Sequence, residues 1–409
     1  MTALRAFRYY NYRLHFAGQF ISLIGTWMQR VAISWLVYQI SGSAFLLGLI
    51  TFLSLIPSLV LSPYVGSFVD RHNAYKLVKI TQLALMLQTG AMALLVWFRF
   101  YSIPWICFLS LVQGVISAFD TTSRQSMMAF LIPDRNDLPN GIALNSTAFN
   151  MARLVGPAVA GFVLSTAGQD ICFLVNFLSF IAVLGCLHFM KLEIPPVMPA
   201  QQNIWLGLRE GYEYLKNTPG IASLIILLAC SSLFVIPFTT MLPVIAKEIF
   251  HGDATTFSWF ESAGGLGALV GAIFMAGLKP QQDTIKVAMI SALIFGIGLT
   301  LLATSPALHA ALACTMLATT GMMVQTSAIN TFVQTHALPE MRGRAISYYI
   351  MAYQGVLPIG SLLIGLAANK LGARFTLGLE GVLGLLIIAA YLIYYQRAKK
   401  TLYSTNFSS

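Results

Sequence analysis

Apolar stretches of membrane-crossing length alternate with short polar turns along almost the whole chain. Twelve such stretches are predicted, at residues 15–38, 45–69, 77–98, 103–123, 142–164, 171–190, 221–244, 257–278, 287–304, 310–335, 345–368 and 376–395. A helix needs about 20 mostly apolar residues to cross the hydrocarbon core of a bilayer. Backbone polar groups must be paired within such a segment, and the strict alternation of a membrane β-barrel is missing, so each stretch is expected to be a helix. The pattern therefore predicts an all-α polytopic membrane protein. Composition agrees: of 409 residues 57% are hydrophobic and 9% charged, against about 25% charged in soluble domains. A soluble fold of this length could not bury so much apolar surface.

The longest connection, residues 191–220, separates six stretches from six. It predicts an N-terminal lobe over 1–190, a linker over 191–220 and a C-terminal lobe over 221–409. The linker opens with the proline-rich EIPPVMP, which favours extended backbone. In the following NIWLGLREGYEYLKNTPG, Trp205, Leu208, Tyr212 and Leu215 recur at helical spacing, which predicts an amphipathic helix on the membrane surface. A weak internal repeat relates the fifth stretch to the eleventh: a shift of 201 residues places Ser146 on Ser347, Val155 on Val356 and Pro157 on Pro358.

The net charge of +10 gains meaning from its distribution. With both termini placed in the cytoplasm, 18 of the 24 Lys and Arg residues fall on the inner side, and only Arg99, Lys247, Lys370 and Arg374 fall outside. Arg30 and Arg153 lie within spans. This asymmetry is the positive-inside signature and sets the expected orientation. No basic domain or aromatic RNA-binding motif occurs, so nucleic acid is not an expected partner. The five cysteines all lie in apolar runs without a C-x-x-C, which predicts neither disulfides nor a metal site. The basic, aromatic N-terminus MTALRAFRYYNYRLHF does not read as a cleavable signal.

Polar residues inside the spans are the candidate chemistry. A charged side chain at mid-bilayer costs about 2.5–3.5 kcal/mol on insertion scales, so those present should face a cavity or a partner. Ser146, Asn150, Arg153 and Pro157 share one helix face. His15, Gln19, Ser22, Thr26, Gln29 and Arg30 form a stripe on the first span, and Gln113, Ser117, Asp120 and Arg124 one on the fourth. These stripes read either as a water-filled cavity wall or as interhelical packing by polar contacts. Glu261 has no basic neighbour in its own helix and is the first candidate to carry a proton. Asp120 is the second, although its spacing from Arg124 also permits an intrahelical pair at a structural gate. Glu380, near a helix end, is expected to be solvated. On the second half of the chain, Asn330 lies in a polar stripe of the tenth span, and Tyr349, Tyr353 and Gln354 cluster on the eleventh.

Between the second and third spans the segment PYVGSFVDRHNAYKLVK resembles the G-x-x-x-D-R-x-x-x-x-[KR] loop of the major facilitator superfamily, with Gly66, Asp70, Arg71 and Lys76 at the matching positions. FDTTSRQSMMAFLIPDRNDLPNGIALNSTAFNMARLVGPAVAG, LREGYEYLKNTPG and LPEMRGRAISYY are similar to the fourth-to-fifth, central and tenth-to-eleventh connections of one branch, which includes the enterobactin exporter and the macrolide-efflux proteins. The eighth-to-ninth loop, GLKPQQDTIK, departs from the pattern by losing the Asp-Arg pair. The resemblance implies twelve transmembrane helices in two six-helix lobes and alternating access. It also implies a cytoplasmic gate of Gly66, Asp70, Arg71, Lys76, Arg124, Arg342 and Arg344. Substrate contacts are expected from Gln29, Arg30, Gln113, Asn150, Arg153, Asn330, Tyr349, Tyr353 and Gln354.

The expected function is secondary active, proton-coupled export of a small anionic amphipathic metabolite of siderophore type across a bacterial inner membrane. Multidrug or macrolide efflux and lysophospholipid flipping are the alternatives, and sequence does not distinguish export from uptake. No G-x-x-x-x-G-K-[ST], H-E-x-x-H or G-x-S-x-G occurs, so neither direct use of ATP nor enzymatic activity is expected. The expected partners are substrate, protons and the bilayer, with no cofactor and a monomeric state.

Overall fold

The computed structural model describes residues 4–192, 204–278 and 282–406. Much of the predicted linker strip lies outside these residues, and the side chains of Asp70 and Trp205 lie outside the described ones. Thirteen helices are numbered here in chain order. They are α1 (Tyr10–Ser41), α2 (Ala44–Asp70), α3 (Ala74–Trp97), α4 (Ile103–Leu131), α5 (Leu138–Thr166), α6 (Gln169–Phe189) and α7 (Ile204–Asn217). Then follow α8 (Pro219–Ile249), α9 (Ala254–Ala276), α10 (Thr284–Thr304), α11 (Leu308–His336), α12 (Arg342–Leu371) and α13 (Ala373–Asn406). All but α7 carry a segment long and apolar enough to cross a membrane, as the sequence predicts.

Local chemistry sets the boundaries. Gly42 closes α1 with φ 59°, a left-handed backbone that a side chain would strain. Ser43, Asn73 and Asp283 then cap α2, α3 and α10 by accepting hydrogen bonds from first-turn N–H groups, contacts worth about 1 kcal/mol each. Helix α4 runs eight residues past the predicted end at 123, to Leu131. The polar run Asp120–Ser126 ends the apolar stretch without ending the helix, which stops just before Pro133. Two predicted single helices are interrupted. In α8, α-helix gives way to a 3-10 turn at Ile236–Met241 and a π turn at Ile245–Ile249, around Pro237 and Pro243, neither of which has an N–H to give. In α12 a π turn spans Met351–Gly355, just ahead of Pro358. Pro57 and Pro63, by contrast, lie inside a continuous α2.

The contacts group the chain into two compact units: residues 1–202 with 242–265, and residues 203–241 with 266–409. In the first, α1 packs on α5 and α6, α2 on α4, and α3 on α4 and α6. Tyr12, Val65, Val69, Tyr75, Val78, Met127, Leu131 and Leu187 form its core. Small residues permit close approach: a Cβ on Gly25 would stand 2.6 Å from Asn176 Oδ1. The 242–265 segment joins this unit through stacking of Trp35 on Phe257 at 6.2 Å and donation from Tyr38 Oη to Glu248 Oε1 at 2.6 Å. The N-terminal 3-10 turn Arg5–Arg8 is tied to the start of α5, with Arg8 reaching Asp134 at 3.0 Å and Asp137 at 2.8 Å.

In the second unit, α10 packs on α11 and α13 around Leu224, Leu228, Ala288, Ile329, Val333, Tyr349 and Ile388. Helix α7 rests against α12 with Leu215 buried, while Tyr212, which the spacing places on the same apolar face, is 61% exposed. Arg344 pairs with Glu210, and Tyr348 Oη donates to the Leu208 carbonyl at 2.9 Å. Glu380 departs from expectation: its side chain is 0% exposed rather than solvated. It lies on the face of α13 that carries Leu377, Gly381 and Gly384, which turns toward α10 and away from water.

Candidate functional site

Two guanidinium groups converge on one indole in the first unit. Arg30 follows Trp27 by three residues on α1, so both occupy one face. Its Cζ lies 5.0 Å from the ring centroid of Trp27. Arg153, from α5, approaches the same ring at 5.8 Å. Phe149, one turn before Arg153, meets the indole edge-on at 5.8 Å. Helix α5 comes this close because residue 156 is glycine; a Cβ there would stand 2.5 Å from Trp27 Cβ. Trp27 is 8% exposed, whereas Arg30 is exposed and Arg153 half-buried. The ring is thus a buried floor with a guanidinium group over it from each of α1 and α5.

Glu261 belongs by contact to this unit, and the fields of Arg30 and Arg153 reach its carboxyl. Guanidinium groups bind carboxylates and catecholates through paired hydrogen bonds, so the two arginines beside Trp27 can hold an anion.

A second polar group lies elsewhere in the unit. Asp120 accepts from Thr81 Oγ1 at 2.7 Å and Gln82 Nε2 at 2.9 Å through one oxygen, and from Arg124 Nε at 2.6 Å through the other. Arg124 also donates to Gln19, and His15, itself buried, lies within the field of both charges. Every one of these Asp120 contacts ties α4 to α3 or to itself, which matches the intrahelical pair that the spacing allows.

The other predicted residues scatter. Gln29 is 3% exposed and accepts from Asn176 Nδ2 at 2.6 Å, so it faces α6 and not the arginines. Asn150 donates to Ser146 in its own helix, and Gln113 is half-buried on α4. In the second unit Tyr349 is 7% exposed and donates to the Thr326 carbonyl at 3.1 Å, which makes it a packing residue that holds α12 to α11. Its ring lies 6.3 Å from that of Tyr353. Asn330 accepts from Gln334, and Gln354 is exposed. Of the gate residues, Gly66 has open space where a Cβ would project, and Arg71, Lys76 and Arg342 are exposed. Arg344 is engaged by Glu210.

Sequence reasoning missed Trp27 and Glu248. The three-residue step from Trp27 to Arg30 is a signal that could have found the first. Nothing local signals Glu248, whose partner Tyr38 lies 210 residues away.

Comparison with known proteins follows the same line. The family profile described as transmembrane secretion effector matches residues 1–407. The chain is 25% identical to the staphyloferrin A transporter of Staphylococcus aureus, over 96% of this chain and 98% of that one. It is 23% identical to macrolide efflux protein A of Streptococcus pyogenes, over 92% and 95%. Among solved structures, a bacterial homologue of the human lysosomal transporter Spinster aligns with TM-score 0.75 at 13% identity, over 94% and 96% of the two chains. A bacterial homologue of the iron transporter ferroportin aligns with TM-score 0.74 at 14% identity, over 94% and 98%. At these identities the structures show the fold alone.

Proposed function

Because the chain belongs to the transmembrane secretion effector family of the major facilitator superfamily, whose members here are transporters and not enzymes, we propose that it exports a small anionic amphipathic metabolite of siderophore type. The observation that carries this reading is the Trp27 floor between Arg30 and Arg153. A carboxylate or catecholate binds the guanidiniums, and the flat part of the ligand lies against Trp27 and Phe149. The relative named for transport of staphyloferrin A supports the substrate class. The coupling ion is the proton, with Glu261 as its first carrier. The chain, with six-helix bodies over 1–190 and 221–409, opens the site to each side of an inner membrane in turn, has both termini inside, and works as a monomer.

Secretion by a deletion strain and its parent under iron limitation tests the substrate, and everted vesicles holding a pH dye test the coupling. Less siderophore in the mutant medium and alkalinisation of the vesicle lumen on substrate addition are expected. Unchanged siderophore secretion with loss of macrolide resistance overturns the anion reading in favour of drug efflux. The relatives named for macrolide efflux and the aromatic floor support that second reading.

A further inference from the structure

Glu380 is the feature that the transport site leaves unexplained. Its side chain is fully buried, and neither carboxyl oxygen has a hydrogen-bond partner among the described residues. It sits in the seam between α13 and α10, where small residues bring the helices close. A Cβ on Gly381 would stand 2.7 Å from the Thr300 backbone nitrogen, and one on Gly296 2.9 Å from Leu385 Cδ2. Such a seam leaves no room for a hydration shell. An ionised carboxylate placed there would forfeit its hydration with nothing in return, a cost of several kcal/mol per ion.

Charged groups on the surrounding elements do not offset this. The described part of α8 that packs here, Pro219–Met241, has none. Helix α10 has only Lys286, at the opposite end and paired with Asp283. Helix α12 offers an exposed Lys370 at the end that joins α13 and so lies about two turns from Glu380, with Arg342 and Arg344 at the other end. On α13 itself Arg374 donates to the Ser305 carbonyl at 3.3 Å, and Arg397 lies more than four turns away. The tyrosines of α13, Tyr391, Tyr394 and Tyr395, lie three to four turns along the helix. One turn from Glu380 toward the Arg374 end, Thr376 is also 0% exposed and places a hydroxyl on the same face.

We propose that Glu380 is a proton-binding site of the transport cycle, separate from the Arg30–Arg153–Glu261 group. In the state described here it is a neutral carboxylic acid. It releases its proton only when the α10–α13 seam admits water at the Thr376 end. Its part in coupling rests on the proposed proton-driven export; its protonation does not.

Infrared difference spectra of the purified full-length protein read the protonation directly, because a protonated carboxyl has a carbonyl stretching band that carboxylates lack. Wild type minus Glu380→Gln at neutral pH is expected to show that band, and its absence overturns the proposal. Glu380→Leu, a neutral residue of similar length, should melt no lower than Glu380→Gln; a Glu380→Leu protein that unfolds where Glu380→Gln does not shows that the seam needs a hydrogen-bonding side chain at this position, which overturns the unpartnered acid. In proteoliposomes with an imposed pH gradient, Glu380→Gln should lose gradient-driven accumulation to the level of empty liposomes, yet retain substrate exchange without a gradient. Coupled accumulation at the wild-type rate in Glu380→Gln overturns the role of Glu380 while leaving proton-driven export intact. A wild type that moves substrate without protons overturns the coupling reading itself, whatever the infrared band shows.

Discussion

Replacing Trp27 by leucine removes the surface that pre-positions both guanidiniums. The centroid distances of 5.0 and 5.8 Å place Arg30 and Arg153 within cation–π range. At sites as open as that of Arg30, each such contact is worth about 0.5–1 kcal/mol. Two contacts thus supply about 1–2 kcal/mol of ordering that a ligand need not provide itself. Since about 1.4 kcal/mol is one decade of affinity, Trp27→Leu should weaken binding of an anionic catechol by up to roughly 5- to 30-fold. Trp27→Phe keeps a smaller ring and should fall between wild type and Trp27→Leu. Isothermal titration of detergent-purified protein with 2,3-dihydroxybenzoate gives the comparison, with thermal melts to confirm that each variant is folded. Affinity in Trp27→Leu within about twofold of wild type would refute the idea that the ring organises an anion site. Equal losses in Trp27→Leu and Trp27→Phe would make Trp27 a packing residue.

Glu261→Gln removes a carboxyl that the fields of Arg30 and Arg153 reach, so the same titration should show tighter anion binding while substrate-driven proton movement in vesicles falls; weaker binding would count against a role for Glu261 beside the arginines. Asp120→Asn leaves Arg124, whose side chain is 13% exposed, without its ion-pair partner. A broken buried pair costs about 3–5 kcal/mol, and thermal unfolding in detergent should show a large drop, whereas an unchanged melting temperature would mark the pair as dispensable. Asp134 is held below the ordinary carboxylate range first by the Asn136 backbone N–H and then by Arg8. Its stabilising contribution is therefore present above about pH 4 and lost as pH falls through the lower folded value. Melting curves across that acid range should be flatter for Asp134→Asn, and an identical slope in both proteins would contradict the tether.

The fold was legible because lipid imposes one rule on every span, and twelve apolar runs obey it without ambiguity. Helix ends shifted where the helix continues past its apolar run, as in α4, because the polar run Asp120–Ser126 ends the span by hydropathy while the backbone stays helical to Leu131. Arg30 and Arg153 were legible as charges that lipid cannot accept. Their partners were not, because Trp27 reads as apolar filling and Glu261 lies over a hundred residues from Arg153 in sequence. Gln29 reads as a substrate contact from its place in the polar stripe of the first span, and Tyr349 from its cluster with Tyr353 and Gln354 on the eleventh. Their hydrogen bonds to Asn176 and to the Thr326 carbonyl depend on which helix lies opposite, and a single sequence does not contain that information. Glu380 looked solvated because it lies near a helix end, yet the glycines around it let α10 close over it.

The π turn at Met351–Gly355 has a bearing on which changes of chain length α12 can absorb. A π turn holds one residue more than the α-helical turn it replaces, and each residue rotates a helix by about 100°. Deleting one residue between Met351 and Gly355 would restore regular α-helix and keep Arg342–Ile350 in phase with Leu357–Leu371. Tyr349 would then keep the Thr326 carbonyl and Arg344 would keep Glu210. A deletion within Leu357–Leu371, where the turn is already regular, would instead rotate the flanks by about 100°, so a library of single-residue deletions along α12 should show one tolerant window at the π turn.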